Sequence, residues 1–348
     1  MRIHSLDGLR AVAVLAVILH HHEILRGGWV GVDLFFVLSG YLITQILRRD
    51  RLLPHYWKRF YIKRATRILP PVLLLIAYVA VAFKPRMLSV LAYLGFMGNF
   101  ASASSWVIPN LIMLWSLAVE EHFYLVFPIA VRNMQRRSLQ ILLLGLLLIE
   151  PVLRFLATPH VRAYEQIYFL TPFHLDGLAM GCLLAIWSET DRGKALLTRW
   201  SGATLVVSWA LFTLMSRALP HTFDREANTQ LFNTLGYSLL GVCCASLVAH
   251  VLLHPSAALS RALSWRPLTF IGVISYGLYL CHQPVRSAFT GATGLPSKVA
   301  FPLTLSLAIL LSWISFRWFE TPLIGWGQKL ASAWRADRLD SKVTAVDA

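Results

Sequence analysis

Long apolar runs follow one another along most of the chain, and short polar segments separate them. A helix rises about 1.5 Å per residue, so roughly 20 apolar residues cross a hydrocarbon core of about 30 Å. The runs of suitable length are residues 9–26, 29–47, 68–83, 112–131, 139–156, 167–187, 201–218, 232–253, 267–289 and 299–319. The pattern therefore predicts an all-α polytopic membrane bundle of about ten transmembrane helices.

One apolar segment, residues 87–99, is shorter than the others, and treating it as a span would reverse the side of every later loop. Lys and Arg beside the spans are retained on the cytoplasmic side. With residues 87–99 as a re-entrant or interfacial helix and the N-terminus inside, the cytoplasmic segments hold 21 Lys and Arg and the outer loops hold seven. This asymmetry predicts cytoplasmic termini, a transmembrane domain over residues 1–326 and a polar cytoplasmic tail over residues 327–348.

Composition supports the membrane class and argues against others. Of 348 residues, 57% are hydrophobic and only 14% are charged, against about 25% charged in soluble domains. The net charge of +15 does not indicate nucleic acid binding, because the basic residues lie in short loops rather than on one soluble face. The four cysteines lie in apolar segments without metal-ligand spacing, so we expect neither disulfides nor a metal site. The first run lacks a small-residue cleavage site and is predicted to be a retained helix.

The first predicted helix carries Arg10 and three consecutive histidines. Only His21 shares the face of Arg10, because eleven residues make three turns plus about 20°. His21 is then about 16 Å from Arg10 along the axis, near mid-membrane. A guanidinium at the cytoplasmic entrance suits a phosphate-bearing ligand, and an imidazole at half depth can accept a proton. The alternative is a flanking positive-inside arginine and a hydrogen-bonded packing histidine.

A second polar face lies on the fourth predicted helix, where Ser116, Glu120 and Tyr124 are spaced by four residues. Glu120 is roughly 12 Å from the outer end, at about the depth predicted for His21. Two adjacent acidic residues, Glu120 and Glu121, are costly in a membrane unless they are paired or face a polar cavity. A functional role is therefore favoured over a structural one.

The segment from residue 48 to residue 67 contains eight basic residues interleaved with aromatic ones. Such a loop is typical of the cytoplasmic face of any membrane protein. Arg64 and Arg67 nevertheless share a helical face at a spacing of three and lead directly into the third span. They are candidate clamps for a polyphosphate.

An interior cavity is predicted from polar residues on otherwise apolar helices. On the ninth helix a single face is polar, with the 4, 3, 4 spacing of Ser275, Tyr279, His282 and Arg286. The complete set of cavity-lining candidates is Asp33, Tyr41, Trp115, Ser116, Tyr124, Asp176, Ser275, Tyr279, His282 and Arg286.

Some of these polar groups have a simpler structural explanation. Asp33 stands at the positive N-terminal end of its helix, which by itself stabilises a carboxylate. His174 and Asp176 are alternatively hydrogen-bonded groups of the core. Glu150 and Arg154, four residues apart, are predicted to form a self-neutralising pair.

Six sequence blocks containing these residues resemble the acyltransferase 3 family of bacterial membrane O-acyltransferases. In order, and covering residues 5–324, they are LDGLRAVAVLAVILHH, GVDLFFVLSGYLIT, RFYIKRATRILP, WSLAVEEHFYLVFP, ISYGLYLCHQP and WFETP. The resemblance implies transfer of an acyl group, usually acetyl, from cytoplasmic acyl-CoA to a hydroxyl of a carbohydrate or related acceptor. The family's functional positions correspond here to Arg10, His21, Arg64, Arg67 and Glu120.

Two features depart from the family pattern. The residue after the double Glu is commonly Gln and is His122 here, which changes a hydrogen-bonding group. Many members add a further helix and an extracytoplasmic esterase-like domain after these blocks. Only a short sequence follows WFETP here, so we expect a stand-alone form whose acceptor is recognised by the membrane domain or by a partner. The implied surroundings are the bacterial cytoplasmic (inner) membrane, acetyl-CoA as co-substrate and a carbohydrate or glycolipid acceptor, with no tightly bound cofactor or metal.

The resulting hypothesis is O-acylation of a cell-surface or lipid-linked carbohydrate, such as O-antigen or exopolysaccharide. His21 is the expected general base, with Glu120 as the candidate that orients it. A covalent acyl-histidine is the less favoured variant. The alternative function is a secondary transporter or proton-coupled exporter that uses the same buried groups as a relay. The sequence assigns no oligomeric state.

Overall fold

The computed structural model describes residues 3–343, which form helices and connecting turns without any strand. The α-helices within this range are α1 His4–His21, α2 Val30–Asp50, α3 Tyr56–Phe83, α4 Met87–Leu94, α5 Gly98–Ser102, α6 Leu114–Asn133, α7 Arg136–Ala157, α8 Tyr164–Phe169, α9 Asp176–Trp187, α10 Asp191–Ala218, α11 Tyr237–Leu253, α12 Ala258–Leu263, α13 Arg266–Val273, α14 Ser275–Thr293, α15 Ser297–Ile314 and α16 Thr321–Val343. Among them α2 packs on α1 and α9, α10 on α11, α14 on α15 and α3 on α16. The predicted all-α class is confirmed.

Seven helical stretches in the described part of the chain are long and apolar enough to cross a membrane. They are Arg26–Asp50, Tyr56–Phe83, Leu114–Asn133, Arg136–His160, Asp191–Ala218, Phe232–Leu253 and Ser297–Trp334. The remaining three predicted spans have a different form. The run at 9–26 overlaps the 18-residue helix α1, which begins earlier, at His4, and ends at His21. The run at 167–187 is divided between α8 and α9, and that at 267–289 between α13 and α14.

The short apolar segment at residues 87–99 forms no span of its own. It contains α4, with eight residues, and the beginning of the five-residue α5. At about 1.5 Å per residue each is far shorter than a hydrocarbon core of about 30 Å. Helix α4 packs on α3 and helix α5 packs on α6, as parts of a re-entrant or interfacial element do.

The predicted division at residue 327 falls inside α16, which runs through it without interruption. Gly327 lies so close to α3 that a Cβ there would be 2.2 Å from Thr66 Oγ1. The first part of the predicted tail is therefore helical and packed against the bundle. Residues 344–348 lie outside the described residues, and the assignment of a separate tail stays a prediction.

Helices α1 and α2 approach each other more closely than side chains normally allow. A Cβ at Gly28, just before α2, would be 2.0 Å from the backbone oxygen of Ala16, and one at Gly31 would be 2.3 Å from that of Ala13. Only glycine fits at such separations. This contact places the polar residues of α2 directly beside the helix that carries Arg10 and His21.

A buried ionic cluster joins α7 to the start of α9. Arg154 is fully buried, and its Nη1 lies 2.9 Å from Asp176 Oδ2 and 3.6 Å from Glu150 Oε2. Glu150 also accepts hydrogen bonds from the backbone N–H groups of Leu175 at 2.7 Å and Asp176 at 2.8 Å. The predicted pair of Glu150 and Arg154 is thus present and gains a third member. A buried guanidinium between two carboxylates is stabilising only as long as all partners remain.

Replacing Arg154 by Met should destabilise the fold strongly, because it leaves two buried carboxylates without a cation. We expect the free energy of unfolding to fall by about 3–5 kcal/mol in a denaturant titration in detergent micelles. The matched control is Arg192→Met at an exposed position of α10, which should change it by about 0.5 kcal/mol or less. Equal effects of the two substitutions would show that the cluster is not a stabilising element.

Candidate active site

Three cavities lie between the helices, and each shares lining residues with its neighbour. The first, here called the basic cavity, has a volume of about 490 Å³ and is lined by Arg10, Arg49, Asp50, Lys63, Arg64 and Arg67, among others. The middle cavity has about 80 Å³ and is lined by Arg10, Ser39, Ser116, Glu120, Ser275 and Tyr279, among others. The aromatic cavity has about 200 Å³ and is lined by His20, His21, Trp29, Trp115, Tyr168 and Arg225, among others.

Shared residues connect the three cavities into a row. Arg10 and Ser39 line both the basic and the middle cavity. Val32 and Tyr279 line both the middle and the aromatic cavity. The row therefore leads from the cluster of basic residues at the start of α1 to His21 at the end of the same helix.

Glu120 lies at the boundary between the basic and middle cavities. Its Oε1 accepts a hydrogen bond of 2.7 Å from Ser39 Oγ on α2, and it interacts electrostatically with Arg10 and Arg64. The guanidinium of Arg64 lies 4.3 Å from the centre of the Tyr124 ring, one turn further along α6. Ser39, Glu120 and Tyr124 thus hold two of the three predicted arginines in place.

The third predicted arginine, Arg67, belongs to the same electrostatic cluster. It interacts with Arg10 and Arg64, which repel it, and with Glu320 just before α16, which attracts it. Glu320 is buried and also accepts a hydrogen bond of 2.9 Å from Ser315 Oγ. Because the wall of the basic cavity carries five cationic side chains and one carboxylate, it fits an anionic ligand.

The three consecutive histidines have different surroundings. His22 is buried, and its ring nitrogens lie 2.9 Å from the backbone oxygen of Ser297 and 3.2 Å from Thr304 Oγ1, which is a structural role. His20 is partly exposed and lines the aromatic cavity. His21 lines that cavity as well, and its Nδ1 lies 3.0 Å from His282 Nε2 on α14.

The helix that carries His21 ends earlier than the apolar run at residues 9–26 predicted. His21 is the last residue of α1, and the chain turns directly after it. The turn includes Glu23, whose φ of 59° is left-handed, and it ends the helix several residues earlier than the apolar run does. His21 is therefore a helix-terminal group facing a cavity.

Glu120 and His21 do not share a cavity, although we expected the carboxylate to orient the imidazole. Glu120 lines the middle cavity and binds Ser39, whereas His21 lines the aromatic cavity and is hydrogen-bonded to His282. The structure thus associates Glu120 with the arginines and gives His21 a different partner.

Four of the ten predicted cavity residues lie along the row of cavities. Ser116 and Ser275 line the middle cavity, Trp115 lines the aromatic cavity and Tyr279 lines both. Tyr279 also joins α14 to α6, since its hydroxyl lies 2.8 Å from Ser116 Oγ. Arg286, one turn beyond His282, is half-buried with its Nη1 3.5 Å from the hydroxyl of Ser297.

Six predicted cavity residues line none of these three cavities: Tyr124, His282 and Arg286, whose contacts are given above, and Asp33, Asp176 and Tyr41. Asp33 is buried with its Oδ1 3.0 Å from His174 Nε2. Asp176 belongs to the ionic cluster with Arg154, and the hydroxyl of Tyr41 accepts a hydrogen bond of 2.6 Å from Gln45. Each of these last three polar groups has a partner within the fold, which explains why it tolerates burial. Among the described residues, no group of three or more His, Cys, Asp or Glu side chains is arranged to hold a metal ion.

Some residues of the site have roles that depend on tertiary contacts, and the sequence pattern does not predict them. Ser39 and Glu320 lie in the blocks that carry the family resemblance but were not singled out. Arg225 lies outside those blocks, in the connection after α10, yet its guanidinium is 4.8 Å from the ring of Trp29 and 5.1 Å from that of Tyr168. No local spacing indicates this contact.

These features define a multi-pass membrane protein whose helices enclose a row of cavities, with a cationic cluster at one end and a hydrogen-bonded pair of histidines at the other. The chain belongs to the acyltransferase 3 family: the family model, described as an acyltransferase domain, matches residues 3–317. Nearly all of the described chain thus corresponds to that acyltransferase domain.

Several curated proteins are similar over most of this chain. Peptidoglycan O-acetyltransferase OatA of Listeria monocytogenes is 31% identical over 92% of the chain and 55% of its own length. O-acetyltransferase OatA of Staphylococcus aureus is 31% identical over 92% and 57%, and the putative peptidoglycan O-acetyltransferase YrhL of Bacillus subtilis is 30% identical over 92% and 55%. The chain thus spans about half the length of these relatives. No solved structure matches.

Proposed function

We propose that this acyltransferase moves an acetyl group from acetyl-CoA to a hydroxyl of a cell-surface or lipid-linked carbohydrate, with peptidoglycan-type glycans as the first candidates. The observation that carries the proposal is the row of cavities between the arginine cluster and His21. The names of the relatives support O-acetylation and a glycan acceptor.

The basic cavity is the proposed donor site. Acyl-CoA carries its phosphates at one end and its thioester at the other, joined by a long flexible arm. Arg10, Arg64 and Arg67 would hold the phosphates, and the predicted orientation of the loops would put this cavity on the cytoplasmic side, where acyl-CoA is made. The arm would then extend through the middle cavity toward His21, about 16 Å along α1 from Arg10.

The aromatic cavity is the proposed acceptor site. Trp29, Trp115 and Tyr168 contribute ring surfaces to its wall, and such surfaces pack well against the apolar C–H faces of sugar rings. A sugar hydroxyl in this cavity is beside His21, whereas the basic cavity offers mainly cationic groups. This difference between a cationic cavity and an aromatic cavity fits a reaction with an anionic donor and a neutral nucleophile.

The proposed reaction is direct transfer with His21 as general base. His21 removes the proton of the acceptor hydroxyl while that oxygen attacks the thioester carbon. The C–S bond then breaks, the ester remains on the sugar, and the CoA thiolate takes up the proton from His21. The imidazole is thereby regenerated, and no further reactant is needed.

Purified protein in liposomes, supplied with radiolabelled acetyl-CoA and glycan, should transfer label to the glycan. His21→Gln should lower the rate by about 100-fold or more, because a general base typically contributes that much. His160→Gln, which changes an exposed histidine outside the cavities, is the matched control and should retain most of the activity. Full activity of His21→Gln would refute the mechanism, and glycan movement across the membrane without label incorporation would indicate a transporter.

The arginines predict a separate kinetic effect on the donor. Arg64→Gln and Arg67→Gln should each raise KM for acetyl-CoA by about tenfold and leave kcat nearly unchanged, since a hydrogen bond to a charged group contributes roughly 1.5–3 kcal/mol. Arg317→Gln, at an exposed position, is the control. With acetylpantetheine, which has no phosphates, all variants should have the same KM and kcat as the wild type. An equal loss with acetylpantetheine would show that the arginines do not bind phosphate.

A further inference from the structure

The hydrogen bond between His21 and His282 has a direction that the geometry fixes. His282 Nδ1 lies 2.6 Å from the backbone oxygen of Tyr279, one turn earlier on α14. A carbonyl oxygen only accepts hydrogen bonds, so the proton in this contact is on Nδ1 of His282. The ring of a neutral His282 therefore has its lone pair on Nε2.

Burial and charge keep His282 in the neutral form. Its side chain is 2% exposed, and an isolated charge is disfavoured at such a site. Arg286, one turn further along α14, already places a positive charge beside it. No carboxylate is hydrogen-bonded to His282 in the described part of the chain, so an imidazolium there would be uncompensated.

The tautomer of His282 determines that of His21. His282 Nε2 can only accept, and it lies 3.0 Å from His21 Nδ1, so the proton between the rings belongs to His21 Nδ1. A neutral His21 then has its lone pair on Nε2. His21 is also part of the wall of the aromatic cavity, which makes Nε2 the nitrogen available to a bound acceptor.

We propose that His282 is a positioning residue that holds His21 in the tautomer with an unprotonated Nε2, so that this atom accepts the proton of the acceptor hydroxyl. The inference rests on the proposed function of His21. When Nε2 takes up the proton, the Nδ1–H bond to His282 becomes charge-assisted and stronger. His282 thereby does for His21 what the third member of a catalytic triad does for its histidine.

Tyr279 connects the hydrogen-bonded pair of His21 and His282 to the rest of the site. Its backbone oxygen fixes His282, while its hydroxyl lies 3.0 Å from the backbone oxygen of Met113 and 2.8 Å from Ser116 Oγ at the start of α6. One turn of α14 thus aligns the histidine pair with the wall between the middle and aromatic cavities. The polar face of α14 is thereby explained as a support for His21.

The direct test is ¹⁵N NMR of histidine-labelled protein in detergent or lipid, with the His21 signals assigned by their loss in His21→Gln. The wild type should show His21 protonated on Nδ1 with a free Nε2. His282→Leu should shift His21 toward the Nε2–H tautomer, whereas the exposed His160→Leu should not. A wild-type His21 protonated on Nε2 would overturn the inference even if acyl transfer is observed.

Kinetic measurements on variants of His282 distinguish a positioning role from a general structural role. His282→Leu should lower kcat by about 100-fold, as expected for a misplaced catalytic group, with KM for both substrates nearly unchanged. His282→Gln should recover most of the activity, because its carboxamide oxygen can accept the proton on His21 Nδ1. The double variant with His21→Gln should be no slower than His21→Gln alone. Additive losses would contradict the proposal, and a wild type with the predicted tautomer but no acyl transfer would refute the proposed function instead.

Discussion

Each charged side chain buried between apolar helices needs an opposite charge, a hydrogen-bond partner or a solvated cavity. One set of groups in this protein is compensated within the fold: Arg154 lies between Glu150 and Asp176, and Asp33 pairs with His174. The other set is compensated only in part. Asp7 and Glu120 attract Arg10 and Glu320 attracts Arg67, yet five cationic side chains and a single carboxylate line the basic cavity. The same physical requirement thus separates the charges that support the fold from those of the proposed donor site.

The supporting contacts also explain how the site is built from distant parts of the chain. Glycines at positions 28 and 31 allow α2 to approach α1, which brings Ser39 to Glu120 and the arginines. The break between α13 and α14 begins a new helix at Ser275, whose polar face carries Tyr279 and His282. Cavity, cation cluster and histidine pair are therefore consequences of how α1, α2, α6 and α14 pack.

Much of the fold was predictable from the sequence because helices and their faces depend on local periodicity. The same holds for Glu150 and Arg154, which are four residues apart. Contacts between distant segments were not predictable: Asp33 and His174 are separated by 141 residues, and His21 and His282 by 261. The end of α1 at His21 was also missed, because a left-handed turn and the packing of α2 determine it rather than hydropathy.

In the proposed function the acetyl group passes through the protein from the basic cavity to the acceptor at His21. Sealed proteoliposomes of one orientation, with membrane-impermeant labelled acetyl-CoA and glycan supplied on chosen sides, test this passage. Labelled glycan should form only when acetyl-CoA is on the side of the basic cavity and the glycan is on the opposite side. Labelling that requires both substrates on the same side would contradict it.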